Sequence, residues 1–177
     1  MFFKNPLNPT TINTDQLQNI QKNIQKLSPH PKKVKIIAVT KTFNFSAILS
    51  AEKQKIFNIG ESKIQETQKK INNQTLNPKT KLHLIGHLQS NKVSRAIKLY
   101  NIILSVDSIR LLNKINQTAK NNKKTQKIFL QENTTQNPTQ KGFNNIEILK
   151  AAEQTTLLSN IKLCGVMSIG ENTQNKE

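Results

Sequence analysis

Val34-Lys-Ile-Ile-Ala-Val39, running straight into Thr40-Lys41-Thr42, is the stretch on which the fold turns. A short β-branched run of this kind is expected of a strand buried in a parallel sheet, and helical spacing resumes at once at Phe45, Ile48 and Leu49. A strand, a polar end and a helix in that order make one βα unit, so the question is whether the unit repeats.

It does in both directions. Upstream, Leu17, Ile20, Ile24 and Leu27 fall at helical spacing within 12–27, with Thr14 or Asp15 available as a cap, and Ser28-Pro-His-Pro31 ends the helix. Downstream, strands are expected at 55–59, 81–85, 102–106, 127–131 and 161–166, with helices around 64–71, 93–99, 109–119 and 146–158. This alternation is the signature of parallel βα units, either in an open doubly wound sheet or in a (β/α)8 barrel. Nearly every strand ends in polar or small residues: Lys41-Thr42, Gly60-Glu61-Ser62, Gly86-His87, Asp107-Ser108, Glu132-Asn133, then Ser168 and Gly170. Barrel sites are assembled from many strand ends, whereas an open sheet gathers its site at one switch point, usually with a glycine-rich loop, and no G-x-G-x-x-G or P-loop pattern occurs. The expectation is an α/β fold of the (β/α)8 TIM-barrel type. At 177 residues it is incomplete against the ~250 such a barrel needs, with about six βα units and an extra N-terminal helix, forming a single domain over residues 1–177.

Composition narrows the function classes. The balance of 27 Lys+Arg against 10 Asp+Glu gives a net charge of +17, but only Arg95 and Arg110 are arginines, and the lysines are scattered among Asn, Gln, Ile and Thr. Base reading favours the bidentate Arg fork and single-strand platforms need stacking aromatics, yet aromatics are 5% and Trp is absent. Salt-dependent sticking to polyanions is expected, not a specific nucleic-acid partner. Cys164, the lone cysteine, has Leu163, Gly165 and Val166 for neighbours and reads as a small hydrophobe inside a strand. A reducing cytoplasm is the expected compartment. Asn5, Pro6, Asn8 and Pro9 interrupt any signal-peptide core after Phe2 and Phe3, and no apolar run suits a membrane helix.

Lys41 is the residue with the most chemistry. Alternation places it on the face of Ile37 and Val39, the inner face of a barrel, where partial desolvation favours a neutral amine able to condense with an aldehyde. A lysine snorkelling from a strand end is the plainer alternative. His83 and His87 are four apart but flank Leu84-Ile85-Gly86 at a strand end, so the spacing has no helical meaning and a metal site is not expected. His83, on the Ile85 face, is a candidate inward hydrogen-bonding group or, equally, a satisfied core histidine. No G-x-S-x-G elbow supports a hydrolase triad. Glu61 and Glu66 are expected on a solvated helix face, and 131–142 reads as a long loop at the site end.

Several segments in order resemble the pyridoxal phosphate homeostasis protein family, whose fold is similar to the amino-terminal barrel of alanine racemase. They are Ile37-Ala-Val-Thr-Lys-Thr42, Ile59-Gly-Glu-Ser-Lys-Ile-Gln-Glu66, His83-Leu-Ile-Gly-His-Leu-Gln-Ser-Asn-Lys92, Ser105-Val-Asp-Ser108, Gln131-Glu-Asn133, Lys141-Gly-Phe143 and Gly165-Val-Met-Ser-Ile-Gly170. The resemblance implies a Schiff base between pyridoxal 5'-phosphate and Lys41, with Ser62, His83 and Asn133 lining the ring side. It also implies intracellular buffering or delivery of the cofactor without turnover, apo-enzymes that use the cofactor as candidate acceptors, and a monomer for a complete barrel. A racemase or decarboxylase of the same barrel type is the alternative, against which stands the lack of room for a second domain, and a non-functional fragment of the family is another.

The chain departs from the family at three places. Gly60-Glu61-Ser62-Lys63 stands where Gly-Glu-Asn-Tyr is usual, Gln140-Lys141 shifts a loop lysine by one, and Glu177 is reached before two further strands whose loops grip the phosphate. Weaker cofactor binding than in a complete relative, exposed sheet edges, and either a broken or a split gene product are the expectations that follow.

Overall fold

The computed structural model describes residues 11–135 and 141–170. Helices and parallel strands alternate: α1 (Thr14–Leu27), β1 (Ala38–Val39), α2 (Phe45–Lys53), β2 (Asn58–Glu61), α3 (Ile64–Ile71), β3 (Lys81–Leu84), α4 (Val93–Leu99), β4 (Ile102–Val106), α5 (Ile109–Asn121), β5 (Gln126–Glu132), α6 (Asn145–Thr156) and β6 (Ile161–Ser168). Contacts divide the chain into two compact units, one of residues 1–61 with 65–81 and one of 62–64 with 82–177.

In the first unit β1 pairs in parallel with β2, Ala38 against Ile59 and Val39 against Gly60. β1 is shorter than the expected 34–39, because only Ala38 and Val39 meet this partner. β2 lies later than 55–59. Lys55 takes a positive φ of 59° as the chain leaves α2, so the strand begins at Asn58 and absorbs Gly60 and Glu61. Helix α1 is capped by Asn13, whose side chain accepts the amide of Gln16 at 3.0 Å, and not by Thr14 or Asp15. The cap residue must keep an extended backbone, as Asn13 does, which leaves Asp15 inside the first turn facing the positive end of the helix dipole. An apolar cavity of about 290 Å³ lies among α1, β1 and the start of α2, with Leu17, Ile36, Val39, Ala47 and Ile56 on its walls. None of its lining residues titrates, so it carries packing and no acid–base chemistry.

The second unit has the longer pairings. His83 and Leu84 face Ile102 and Ile103, and β5 and β6 run in register from Gln126 opposite Ile161 to Glu132 opposite Ser168. The register slips once between Ile128 and Phe129, where Gly165 has φ +153° and an added Cβ would come within 3.0 Å of the Phe129 ring. Ile103, Val106, Leu112, Ile115, Ile128 and Leu130 are completely buried. Cys164 lies in β6 as expected, but its side chain is exposed, not packed. Burial alternates along β6, and Cys164 shares the open register with Lys162, Val166 and Ser168.

The expected loop at 131–142 is partly strand, since Gln131 and Glu132 complete β5. Its ends are tied together by Phe143 N–H to Gln131 O at 2.8 Å, Asn133 N–H to Phe143 O at 2.9 Å, and the Gln131 side-chain amide to Lys141 O at 2.8 Å. Residues 136–140, including Gln140, and the N-terminal and C-terminal segments 1–10 and 171–177 lie outside the described residues.

Candidate functional site

Lys41 occupies a turn immediately beyond β1, flanked by two threonines whose backbones are both held. Thr40 donates its N–H to Gly60 O at 3.0 Å, and its hydroxyl donates to Glu61 Oε1 at 2.5 Å. The Lys70 ammonium donates to Thr40 O at 2.8 Å and forms an ion pair with the same Glu61 Oε1. On the other side of Lys41, the Thr42 N–H donates to Glu66 Oε1 at 2.5 Å. Thr42 has φ +68°, a left-handed conformation that costs a β-branched residue about 1–3 kcal/mol and persists only when the surroundings enforce it.

Two elements converge to make this clamp. β2 delivers Glu61 at its last position, and α3 presents Glu66 and Lys70 four residues apart and therefore on one face. That face straddles the lysine: Glu66 takes the amide after it and Lys70 the carbonyl before it. Glu61 and Lys70 are nearly sealed from solvent, with side-chain exposures of 0% and 4%. A shallow depression of about 680 Å³ opens beside the turn, bounded by Thr42, Asn44, Glu66 and Lys70 among others.

Two expectations are corrected here. Glu61 is not on a solvated helix face. It ends a strand and is buried, because Lys70 neutralises it and Thr40 donates to it. Nor is Lys41 partly desolvated. The strand stops at Val39, and Lys41, in the turn that follows, is exposed with no hydrogen bond or ion pair among the described residues.

The other expected site residues belong to the second unit. Ser62 is half-buried, and its backbone packs so closely on Gly86 that a Cβ there would stand 2.3 Å from Ser62 O, which explains the glycine. His83 is buried on β3 opposite Ile102. Asn133 follows β5, half-buried, its side-chain oxygen accepting from the Thr135 amide and hydroxyl at 3.2 Å each. His87 donates its Nδ1–H to Asp107 Oδ2 at 2.9 Å, with Asp107 nearly buried and the imidazole half-exposed. Beside this pair the Ser105 hydroxyl donates to Gly86 O at 2.6 Å. This imidazole, held at the ends of β3 and β4 by a carboxylate, went unnoticed in the sequence, where Asp107 was read only as a polar strand end.

The residues that carry chemistry are thus an accessible primary amine on a braced turn in one unit and an oriented imidazole in the other. An amine that is to join an aldehyde must be reachable and free of a competing ion pair, and Lys41 satisfies both conditions.

Comparison with known proteins gives a consistent set of matches. The family described as alanine racemase, N-terminal domain, matches residues 16–177. A curated relative from Synechocystis, a pyridoxal phosphate homeostasis protein, is 34% identical over 143 residues, covering 78% of this chain and 64% of the relative. Solved structures of PipY from Synechococcus elongatus are similar both without PLP, at 29% identity and TM-score 0.76 over 88% of this chain and 73% of that one, and with PLP bound, at 26% and 0.73 over 90% and 71%. The chain spans a little under two thirds of the Synechocystis relative. The fold is therefore the α/β barrel type, with six parallel strands among the described residues.

Proposed function

The chain belongs to the alanine racemase N-terminal domain family, and from that premise we propose that it binds pyridoxal 5'-phosphate through the Lys41 amine and serves intracellular homeostasis of that cofactor. When bound, pyridoxal 5'-phosphate supplies an aldehyde that condenses with a lysine amine, releasing water, to give a Schiff base. The observation that carries the reading is the placement of Lys41: an accessible amine, with no competing partner among the described residues, on a turn held on both sides. The relative named a pyridoxal phosphate homeostasis protein and the PipY structure with PLP bound support the choice of ligand.

Ser62, His83 and Asn133 are assigned to the ring side of the cofactor, each standing on or just beyond a strand as barrel sites require. The unbroken family match over 16–177 supports reading the chain as one domain. Among the described residues no helix is long and apolar enough to cross a membrane, and the cytoplasm is the proposed compartment. The reading assigns holding and hand-over of the cofactor to apo-enzymes, and no turnover. Its support is that the relatives are named for homeostasis.

The test is chemical trapping. Incubation with pyridoxal 5'-phosphate, reduction with borohydride and peptide mapping should place the adduct on Lys41, and Lys41→Ala should remove most of the visible absorbance of the adduct. Undiminished absorbance in Lys41→Ala, or label spread evenly over the lysines of the wild type, would overturn the reading.

A further inference from the structure

Glu61, Glu66 and Lys70 are charged side chains that hydrogen-bond the backbone on either side of Lys41, or the side chain next to it, and among the described residues none of them forms a hydrogen bond or ion pair with Lys41 itself. A salt bridge kept only for stability has no need of this arrangement, because an apolar pair of similar volume serves a buried site as well or better. Glu61 also keeps its second oxygen, Oε2, buried without a hydrogen-bond partner among the described residues, a cost that a purely structural carboxylate would avoid. What the arrangement does achieve is to hold Thr42 in a left-handed conformation and Thr40 at the β2 end at the same time, and the residue between them is Lys41.

We propose that Glu66 and Lys70 on α3, with Glu61 on β2, are positioning residues for the Lys41 amine: they hold the turn in the one backbone conformation from which that amine meets its aldehyde partner. This rests on the assignment of Lys41 above. Glu66 acts through the Thr42 amide. The buried pair acts through the Thr40 hydroxyl and carbonyl. Holding a reacting group in place contributes through entropy, so loosening the turn slows attack without removing any reacting atom.

The test compares wild type with Glu66→Gln, Glu61→Gln and Thr42→Gly in borohydride trapping with peptide mapping, using exposed Lys22 and Lys98 in the same molecule as internal standards. Glu66→Gln should lower the rate of labelling at Lys41 relative to these standards by about tenfold, the loss expected from one charge-assisted hydrogen bond. Glycine adopts the left-handed conformation without strain, so in the Thr42→Gly background the further effect of Glu66→Gln should be clearly smaller, a non-additivity that a merely stabilising role would not produce. Should Glu61→Gln fail to fold, Glu66→Gln, at a half-buried site, still decides the matter. An unchanged ratio of Lys41 to Lys22 and Lys98 labelling in folded Glu66→Gln, beside selective labelling of Lys41 in wild type, overturns the positioning role alone. Absence of selective labelling in wild type overturns the Lys41 assignment, and the positioning role with it.

Discussion

In the first unit the end of β1 is held by charge, through Glu61, Lys70 and Glu66, whereas in the second the strands are held by backbone pairing in register and by side chains with no solvent exposure. β1 contributes only two paired residues, while β5 and β6 pair over seven positions of β5. Hydrogen-bonded charges are directional, so they can fix a turn that pairing and packing alone would leave free to relax, but each tolerates little change. Apolar packing spreads its contribution over many contacts and forgives substitutions that conserve volume. The charged clamp therefore sits at the turn that carries Lys41, and the apolar scaffold sits elsewhere.

The harshest way to break this contrast is Lys70→Met. Among the described residues it leaves the buried Glu61 carboxylate with only the Thr40 hydroxyl for a partner, and a fall of about 4 kcal/mol in unfolding free energy, read by urea denaturation, is expected. Adding Glu61→Leu to it should recover most of that loss, since no buried charge then remains; a double variant as unstable as the single one would mean that packing and not charge holds the turn. In the second unit Leu130→Ala, at a completely buried position of β5, should cost about 3 kcal/mol through lost burial and the cavity left behind. Leu130→Met should cost less than ~1.5 kcal/mol, because volume is kept. If Leu130→Met proved as damaging as Lys70→Met, the distinction between a brittle and a forgiving unit would fail.

The sequence made the scaffold readable and the clamp not. Apolar periodicity placed α3 at Ile64–Ile71, α4 at Val93–Leu99 and β4 at Ile102–Val106 as they stand, because their burial repeats with the period of the element itself. Lys41 was legible as a strand-end amine, yet its surroundings were not, since the turn at Thr42 depends on Glu66, which lies 24 residues away. Glu61 was misread for the same reason. A carboxylate is expected in water unless its partner is known, and Lys70 comes from the next helix, nine residues on. The His87–Asp107 pair spans two strand ends 20 residues apart, again a contact between elements that no local pattern announces. His83 was placed on the correct strand and is buried, but burial alone assigns it no role. Cys164 shows the limit of neighbour-based reading, because Leu163 and Gly165 predicted a buried strand while the alternation within β6 turned its side chain outward.

The smallest expected effect sharpens the comparison from within the second unit, where one charge is nevertheless recruited. Lys124 donates to Ile97 O at 2.5 Å and Tyr100 O at 3.0 Å, the carbonyls that α4 leaves open at its C-terminal end, so the ammonium faces the negative end of the helix dipole. Burial still pushes its pKa below the ordinary 10.5, which means that the folded chain releases this proton before the unfolded chain does. Between the lowered value and 10.5 the unfolded state binds more protons, and the contribution of this group to stability rises with pH across that interval. Lys124→Met removes the titration, so the stability advantage of wild type over the variant should widen as pH is raised from neutrality towards 10.5, followed by urea midpoints at each pH. A gap that narrows instead would mean that attraction to the helix end outweighs burial, and that charge governs this cap in the second unit as it governs the Lys41 turn in the first.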